Sequence, residues 1–303
     1  MRPPTFPQTE ISMKILITGA NGQLGHELAD VLPEILPDAE FVLTDADSLD
    51  ITDASAVDSF MAGREVTHLI NCAAYTDVNR AEEDKSVCTL VNVDAVGNLA
   101  RAASRHGVRM LHVSTDYVFD GNSFVPYRES DKPSPRSHYG STKRKGETAL
   151  LGLAPEAIIV RTGWLYSAYG KNFVKTMLRL ASERDRVSVV ADQIGTPTYA
   201  NDLARAIVAI IAAPQWLPGI YHFANEGVCS WYDFAQAIFD LRAPSCTAVA
   251  ISSDQYPTAA ERPHYSVLDK SKIKATYGIY IRHWHHALAD CLDKLDRLNS
   301  ASD

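Results

Sequence analysis

The stretch Lys14-Ile-Leu-Ile-Thr-Gly-Ala-Asn-Gly-Gln-Leu-Gly25 decides the fold. Residues 14–18 are mainly apolar or β-branched, which predicts a short buried strand. Three glycines, Gly19, Gly22 and Gly25, follow at equal intervals, and helical spacing begins directly after them. On a strand–turn–helix, such glycines let backbone N–H groups approach a diphosphate at the start of the helix. The stretch therefore predicts a dinucleotide-binding loop, with a purely structural turn as the alternative.

Strand-like and helical segments alternate through the first half of the chain. The predicted strands are residues 14–18, 41–44, 68–71, 109–114 and 157–161. Helical spacing separates them, most clearly over residues 91–106 and 139–151. Strands alternating with helices imply right-handed crossovers and parallel pairing. The predicted fold class is α/β, a Rossmann-type doubly wound parallel sheet.

The second half loses this alternation, which predicts a second lobe. Its predicted helices are residues 172–183, 201–213, 231–241 and 283–298, and its predicted strands are 187–190 and 219–223. We expect a dinucleotide-binding domain over 13–165, with a later return near 187–223, and a smaller, mixed α/β substrate-binding lobe mainly over 166–303. Residues 1–12 are Pro-rich and polar, and they predict a disordered extension.

Composition narrows the functional class. A net charge of -8 over 303 residues argues against a nucleic-acid partner, whose binding surfaces are normally basic. Five scattered cysteines without a CxxC pair are typical of reduced thiols, so we expect a cytoplasmic protein. No apolar run approaches the ~20 residues that a membrane span needs, so no membrane partner is expected.

Asp45 ends the second predicted strand, where a carboxylate can accept hydrogen bonds from an adenosine ribose. A carboxylate there also repels a 2′-phosphate, so the sequence favours NADH, with NADPH as an accepted second coenzyme. Asp47 and Asp50 lie close by and are alternatives for the same role or for lining the adenine site, and Ile51 is assigned to the coenzyme site. A turn-forming Asp at a strand end is the alternative interpretation of Asp45.

The motif Tyr139-Gly-Ser-Thr-Lys143 places a phenol and an ammonium on one helix face. A free tyrosine has a pKa of about 10, and a nearby cation lowers it toward the range useful for proton transfer. Alone, the motif is equally compatible with an exposed helix-start pair. Thr115, however, ends the fourth predicted parallel strand, and ligands bind beyond the carboxyl ends of such strands. The alternative is that Thr115 only caps the end of the strand. Together they predict a catalytic set of Tyr139, Lys143 and Thr115.

These motifs carry a resemblance to the extended short-chain dehydrogenase/reductases, and within them to the dTDP-4-dehydrorhamnose reductase family. The resemblance covers the chain from about Met13 to the last helix. The matching stretches are ILITGANGQLG (15–25), NCAAYTDV (71–78) with Ala81-Glu82, STDYVF (114–119), YGSTK (139–143), RTGWLY (161–166), NFVKTMLRL (172–180) and DQIGTP (192–197).

The resemblance implies reduction of the 4-keto group of dTDP-4-dehydro-L-rhamnose to dTDP-L-rhamnose. Hydride would pass from the nicotinamide to C4 of the sugar while Tyr139 gives a proton to the oxygen. Lys143 would lower the tyrosine pKa and bind the nicotinamide ribose, and Thr115 would hydrogen-bond the keto oxygen. A homodimer is also expected from the family.

The resemblance implies further contacts in the same cleft. The residues that would contact the coenzyme are Gln23, Leu24, Ala74, Tyr75 and Thr76. The residues that would contact the dTDP-sugar are Asp116, Trp164, Asn172 and Arg262. Trp164 is equally compatible with an ordinary core residue. Arg262 suits a diphosphate because a guanidinium binds phosphate oxygens bidentately, yet an exposed surface arginine is the equal alternative.

The sequence departs from the family pattern at two places, and it shows no metal site. Asn79-Arg80 stands where the family usually has Asp-Lys, and Cys72 replaces a small alanine. Magnesium is associated with some members, but no octahedral ligand set is recognisable here, so no required metal is predicted. The histidine-rich run at 282–286 favours a helix start over a metal site.

Two alternative functions stay open. One is reduction of another dTDP-4-keto-6-deoxysugar, since spacing does not reveal which sugar face meets the nicotinamide. The other is a non-catalytic regulatory subunit of methionine adenosyltransferase, which resembles these reductases.

Overall fold

The computed structural model describes residues 13–300. The expectation for residues 1–12 therefore lies outside the described residues. The strands are β1 Lys14–Thr18, β2 Glu40–Thr44, β3 His68–Asn71, β4 Arg109–Thr115, β5 Ile158–Thr162, β6 Leu165–Tyr166, β7 Arg186–Val190, β8 Ile194–Gly195, β9 Thr198–Tyr199, β10 Gly219–His222, β11 Cys229–Ser230 and β12 Thr247–Ile251. The helices are α1 Gln23–Ile35, α2 Ala54–Ala62, α3 Lys85–Thr89, α4 Ala95–His106, α5 His138–Leu153, α6 Phe173–Glu183, α7 Ala200–Ala212, α8 Trp231–Arg242, α9 Ser271–Tyr277 and α10 Trp284–Ser300.

Six strands form one parallel sheet in the order β2-β1-β3-β4-β5-β10. The strand order reverses between β1 and β3, and in open α/β sheets ligands bind beyond the carboxyl ends at such a point. The prediction of an α/β, Rossmann-type doubly wound sheet is confirmed. The four predicted strands after β1 in the first half are present, with ends that differ by one residue at most.

Alternate residues of β1 point to opposite faces of this sheet, as the period of a strand requires. Ile15 and Ile17 belong to a core shared with α1 and α7. Leu16 belongs to a second core shared with α2 and α4. Helices thus cover both faces, which is why the central strands consist of continuous apolar runs.

The second half builds a separate core around α6, α8 and α10. Strand β7 pairs in parallel with β12 in this lobe, while α7 and β10 return to the large sheet. Two further two-stranded sheets, β6 with β9 and β8 with β11, connect the lobe to the end of β5. The sequence did not predict β6, β8, β9 or β11, each of which has two residues, nor β12, which has five.

A buried ion pair joins α5 to the sheet. Both carboxylate oxygens of Glu147 accept from Arg161, Oε1 from Nε at 2.8 Å and Oε2 from Nη2 at 2.7 Å. Oε1 also accepts from Ser114 Oγ at 2.7 Å. Glu147 and Arg161 are essentially inaccessible to solvent. This pair therefore fixes α5 against the ends of β4 and β5.

Replacing Glu147 by alanine leaves the Arg161 guanidinium buried without its carboxylate. We expect the free energy of unfolding to fall by about 3–5 kcal/mol, measured by urea denaturation. The matched control is Glu183→Ala, which breaks the exposed Arg179–Glu183 pair of α6, and its effect should be a small fraction of that loss. Equal effects of the two substitutions would contradict the assigned role of the buried pair.

Candidate active site

A cleft of about 640 Å³ crosses the carboxyl ends of β1, β3, β4 and β5. It lies between the large sheet and the second lobe, and residues from both contribute to its wall. Most of the residues predicted for the site line it, namely Gly19, Gly22, Gln23, Leu24, Gly25, Asp45, Asp50, Ile51, Ala74, Thr76, Thr115, Asp116, Tyr139, Lys143 and Trp164.

The glycine loop fits a diphosphate. Gly19 has φ +71°, and a Cβ there would lie 2.6 Å from the backbone nitrogen of Ala73 on the neighbouring loop. A Cβ on Gly25 would lie 2.4 Å from the carbonyl oxygen of Ala20. Gly22 begins α1 without any side-chain cap, and the first turn of α1 has no acidic residue. The first N–H groups of α1 thus remain open toward the cleft, as an anion at a helix start requires.

Asp45 faces the same loop. Its Oδ2 accepts from the backbone nitrogen of Asn21 at 2.8 Å, and its Oδ1 accepts from Ala46 at 2.7 Å. The carboxylate is therefore oriented beside the glycine loop, with lone pairs left for ribose hydroxyls. Asp50 accepts two hydrogen bonds from Thr52, which lower the pKa of its carboxyl group.

Tyr75 differs from its neighbours Ala74 and Thr76. Its phenol donates to Asp84 Oδ2 at 2.9 Å, and its backbone pairs with the Asn92 side chain through two hydrogen bonds. Its side chain thus fixes the segment after β3 against the helices that follow. Ala74 and Thr76 line the cleft.

Two glycines of α5 allow its close approach to the turn after β4 and to the helical segment that precedes α4. A Cβ on Gly140 would lie 2.2 Å from the carbonyl oxygen of Tyr117, and one on Gly146 would lie 2.2 Å from that of Asn92. The Ser137 side chain caps the helix by accepting from Gly140. Tyr139 and Lys143 are four residues apart on the buried face, which places both beside the end of β4.

Tyr139 lies with its ring 9% exposed, edge-on to Tyr117 at a centroid distance of 5.6 Å. Burial raises the pKa of its phenol above 10, while the Thr115 hydroxyl beside it partly opposes the rise. The phenol therefore carries its proton at neutral pH, which is the form that a proton donor needs.

Lys143 is 2% exposed and directs its ammonium toward the sheet. Nζ donates to the carbonyl oxygen of Val113 at 2.7 Å and lies 3.3 Å from His112 Nε2. Burial lowers the pKa of Lys143 to about 8. The lowering of the Tyr139 pKa by Lys143 stays a prediction, since burial is the largest influence on the phenol in this structure and raises its pKa.

Thr115 and Asp116 lie next to the phenol. Thr115 Oγ1 donates to Asp116 Oδ1 at 3.0 Å and accepts from the backbone nitrogen of Tyr117. Burial raises the pKa of Asp116 to about 6. Asp116 Oδ2 is buried and makes no hydrogen bond of normal geometry, although the Ser266 hydroxyl near the carboxyl group partly opposes the rise in its pKa. Gly163 packs directly against this oxygen, since a Cβ there would lie 2.5 Å from it. A ligand hydroxyl in the cleft would satisfy it.

Two tryptophans form the wall on the side of the second lobe. The rings of Trp164 and Trp231 stack at a centroid distance of 3.5 Å and an interplanar angle of 7°. Trp164 has φ +50°, a left-handed conformation that is costly for a non-glycine residue. Its indole rests on Gly195, where a Cβ would lie only 2.5 Å away. The stack gives the cleft a flat apolar surface of the kind that packs against a sugar or a base.

Asn172 and Arg262 lie outside the lining of this cleft. Asn172 caps α6, and its amide nitrogen donates to Gln23 Oε1 at 3.0 Å and to the carbonyl oxygen of Ser167 at 2.7 Å. Arg262 lines a small adjacent pocket that it shares with Tyr117. Its Nε is buried without a hydrogen-bond partner.

Sequence reasoning missed three residues of the site. Tyr117 packs on Tyr139, Trp231 stacks on Trp164, and His112 contacts Lys143. Tyr117 lies inside the motif 114–119 and was within reach of the sequence. Trp231 begins a helix far along the chain, and His112 sits in an apolar strand, so only the fold brings these two to the site.

Among residues 13–300, no group of three or more His, Cys, Asp or Glu side chains is arranged to hold a metal ion. In the same range, no helix is long and apolar enough to cross a membrane. The histidine-rich run precedes and begins α10, with Trp284 in its core.

Comparison with known proteins agrees with this geometry. Residues 13–297 match the family model of the RmlD substrate binding domain. A dTDP-4-dehydrorhamnose reductase of Aggregatibacter actinomycetemcomitans is 46% identical over 285 residues, which covers 91% of this chain and 97% of that protein.

Two solved structures are similar throughout. That of a dTDP-4-dehydrorhamnose reductase from Clostridium acetobutylicum has a TM-score of 0.90 and 42% identity, covering 94% of this chain and all of the other. That of dTDP-4-dehydrorhamnose reductase from Bacillus anthracis, in complex with NADP, has a TM-score of 0.89 and 38% identity, covering 93% and 99%. Because the family model matches almost the whole chain and these relatives match it over more than nine tenths of its length, this chain belongs to the RmlD substrate binding domain family.

Proposed function

We propose that this protein reduces the 4-keto group of dTDP-4-dehydro-L-rhamnose to give dTDP-L-rhamnose, with NADH or NADPH as the reductant. The observation that carries the proposal is the position of the Tyr139 phenol beside Thr115, in a cleft whose other end is the glycine loop. Relatives that match almost the whole chain are named for this reaction.

A bound NADH or NADPH would supply the hydride for C4 of the sugar. Tyr139 donates its proton to the keto oxygen, and its raised pKa supports this role because the phenol is protonated at neutral pH. Thr115 hydrogen-bonds the same oxygen. Its hydroxyl proton now points to Asp116, so it would turn toward the substrate, and the backbone nitrogen of Tyr117 keeps the oxygen in place.

Other residues bind and orient. Gly19, Gly22, Gln23, Leu24 and Gly25 would hold the diphosphate of the coenzyme at the open start of α1. Asp45 would accept the adenosine ribose hydroxyls, and Asp50, Ile51, Ala74 and Thr76 would complete the coenzyme cleft. Tyr75 would hold this segment in place through its bonds to Asp84 and Asn92. Lys143 would donate to the nicotinamide ribose.

On the substrate side, Asp116 would accept a sugar hydroxyl through its unpartnered Oδ2. Trp164 would pack against the sugar ring. Arg262 would reach the diphosphate of the dTDP-sugar with its unpartnered donor. Asn172 would act through Gln23, which it contacts, because its amide is engaged in capping α6.

Assembly and location belong to the same proposal. We propose a cytoplasmic homodimer without a nucleic-acid or membrane partner. The net charge of -8 supports the absence of a nucleic-acid partner, and the five free cysteines support a reducing compartment, whereas the homodimer rests on the family resemblance. No metal is required in this account of the chemistry, because Tyr139 and Thr115 stabilise the developing alkoxide.

The reaction is tested by following NADH absorbance with enzymatically prepared dTDP-4-dehydro-L-rhamnose and identifying the product by NMR. Formation of dTDP-L-rhamnose supports the proposal. A product with the opposite configuration at C4, or turnover only with another dTDP-4-keto-6-deoxysugar, would reassign the substrate. Absence of turnover together with capture of methionine adenosyltransferase would favour the regulatory alternative.

Tyr139→Phe removes the proton donor and retains the ring. We expect kcat to fall about 10²–10⁴-fold, the usual contribution of a positioned acid, while NADH binding is unchanged. The matched control is Tyr166→Phe, which deletes a buried hydroxyl that has no hydrogen-bond partner and should leave kcat near the wild-type value. A wild-type kcat in Tyr139→Phe would refute the mechanism.

Asp45→Ala removes the carboxylate that faces the adenosine ribose. We expect the ratio of kcat/KM with NADPH to that with NADH to rise about tenfold, because repulsion of a 2′-phosphate is lost. Asp47→Ala, two residues further along an exposed turn, should leave the ratio unchanged. If the wild type already prefers NADPH strongly, the role assigned to Asp45 is incorrect.

A further inference from the structure

A row of polar side chains crosses the large sheet directly beneath the cleft. Thr18, Asn71 and His112 occupy partner positions on β1, β3 and β4. Thr18 Oγ1 donates to Asn71 Oδ1 at 2.7 Å, and Asn71 Nδ2 lies 3.0 Å from His112 Nδ1. All three are almost completely buried. The row begins at the glycine loop and ends at Lys143.

The orientation of the Asn71 amide is fixed by the backbone. The N–H group of Ala73 donates to Asn71 Oδ1 at 3.1 Å, and this donor cannot become an acceptor. Asn71 Oδ1 therefore faces Ala73 and Thr18, and Nδ2 faces the imidazole. A flipped amide would place two donors against each other.

This orientation selects one form of His112. Because Asn71 Nδ2 is a donor, His112 Nδ1 must accept, so Nδ1 carries no proton. Burial and the nearby Lys143 hold the pKa of His112 well below its usual value, so the ring is neutral. A neutral ring with an unprotonated Nδ1 carries its proton on Nε2.

The Nε2–H group points to the catalytic lysine. His112 Nε2 lies 3.3 Å from Lys143 Nζ, while Nζ also donates to the carbonyl oxygen of Val113. An ammonium group offers only N–H donors and would oppose the imidazole N–H. A neutral amine can satisfy both neighbours, since it donates to Val113 and accepts from His112 through its lone pair.

The other groups around Lys143 act in the opposite direction. Glu147 on the same helix, Cys72 after β3 and Cys88 on α3 each favour the charged form. Both cysteines are themselves discouraged from ionising, since burial raises the pKa of each thiol. Desolvation of the ammonium is the largest effect and favours the amine.

We propose that His112 is a positioning residue for proton transfer: its Nε2–H, oriented by Asn71, favours the neutral amine of Lys143 in the free enzyme. As the pH rises, Lys143 releases one proton to solvent and accepts the hydrogen bond from His112. Binding of the coenzyme ribose, whose oxygens accept hydrogen bonds from Lys143, would favour uptake of one proton from solvent by the amine. The kinetic consequence rests on the function proposed above, whereas the protonation of Lys143 does not.

The ionisation of Lys143 is measured directly in the free enzyme. NMR titration of ¹³Cε-labelled lysine follows each side chain, and Lys143→Arg identifies the resonance. In His112→Gln, the side-chain carbonyl can turn toward Nζ and accept from an ammonium. We expect the acid dissociation constant of the Lys143 ammonium to fall about tenfold, because the ammonium then faces an acceptor in place of the His112 N–H donor.

His68→Gln is the matched control. His68 is a buried histidine on β3 whose Nε2 has no hydrogen-bond partner, and it is the first residue of that strand. This substitution should leave the Lys143 titration unchanged. An unchanged dissociation constant in His112→Gln, or an equal change in His68→Gln, would overturn the proposal.

A second measurement uses the unmodified protein, so it does not depend on the folding of a variant. The ¹⁵N chemical shifts of His112 distinguish its two neutral forms. We expect a protonated Nε2 and an unprotonated Nδ1, and the reverse assignment would overturn the proposal. If the enzyme is active, the alkaline limb of kcat/KM should move to higher pH in His112→Gln. An inactive enzyme would refute the proposed reaction. The Lys143 titration and the His112 ¹⁵N shifts would still decide the role of His112.

Discussion

The bidentate ion pair between Glu147 and Arg161 is the interaction on which the arrangement of the site depends. It joins the middle of α5 to the end of β5, and Ser114 extends it to β4. Tyr139, Lys143 and Glu147 follow one another at four-residue intervals on the same face of α5. Fixing Glu147 against two strands therefore also fixes the rotation of the helix, and with it the distance of the phenol from Thr115.

The same sheet edge supplies both the coenzyme side and the substrate side of the cleft. Strands β1 and β3 provide the glycine loop and the segment after Asn71, while β5 leads into Trp164. The left-handed backbone at Trp164 costs about 1–2 kcal/mol, and stacking on Trp231 with contact to Gly195 offsets it. At Trp164, the second lobe contacts the carboxyl edge of the large sheet.

The features that could be predicted from the sequence are those whose pattern lies within a short stretch of the chain. Long apolar strands, the glycine loop and the Tyr–Lys pair carry their pattern within a few residues, and the structure contains the predicted strands and the cleft. Two-residue strands such as β6 and β9 are too short to show any period. Burial is the largest influence on the pKa of Tyr139, and spacing along one helix does not reveal how far distant segments bury the phenol. His112 and Trp231 reach the site only through strand pairing and lobe packing, which no local pattern reveals.

The central claim is that Tyr139 and Thr115 act together on one oxygen atom. A double-mutant cycle tests it most directly, with kcat for the dTDP-sugar measured in Tyr139→Phe, Thr115→Val and the combined variant. Groups that act as a unit give strongly non-additive losses. The account predicts that the combined variant loses about as much activity as Tyr139→Phe alone. Losses that multiply in the combined variant would contradict it, because they would mean that the two hydroxyls act independently.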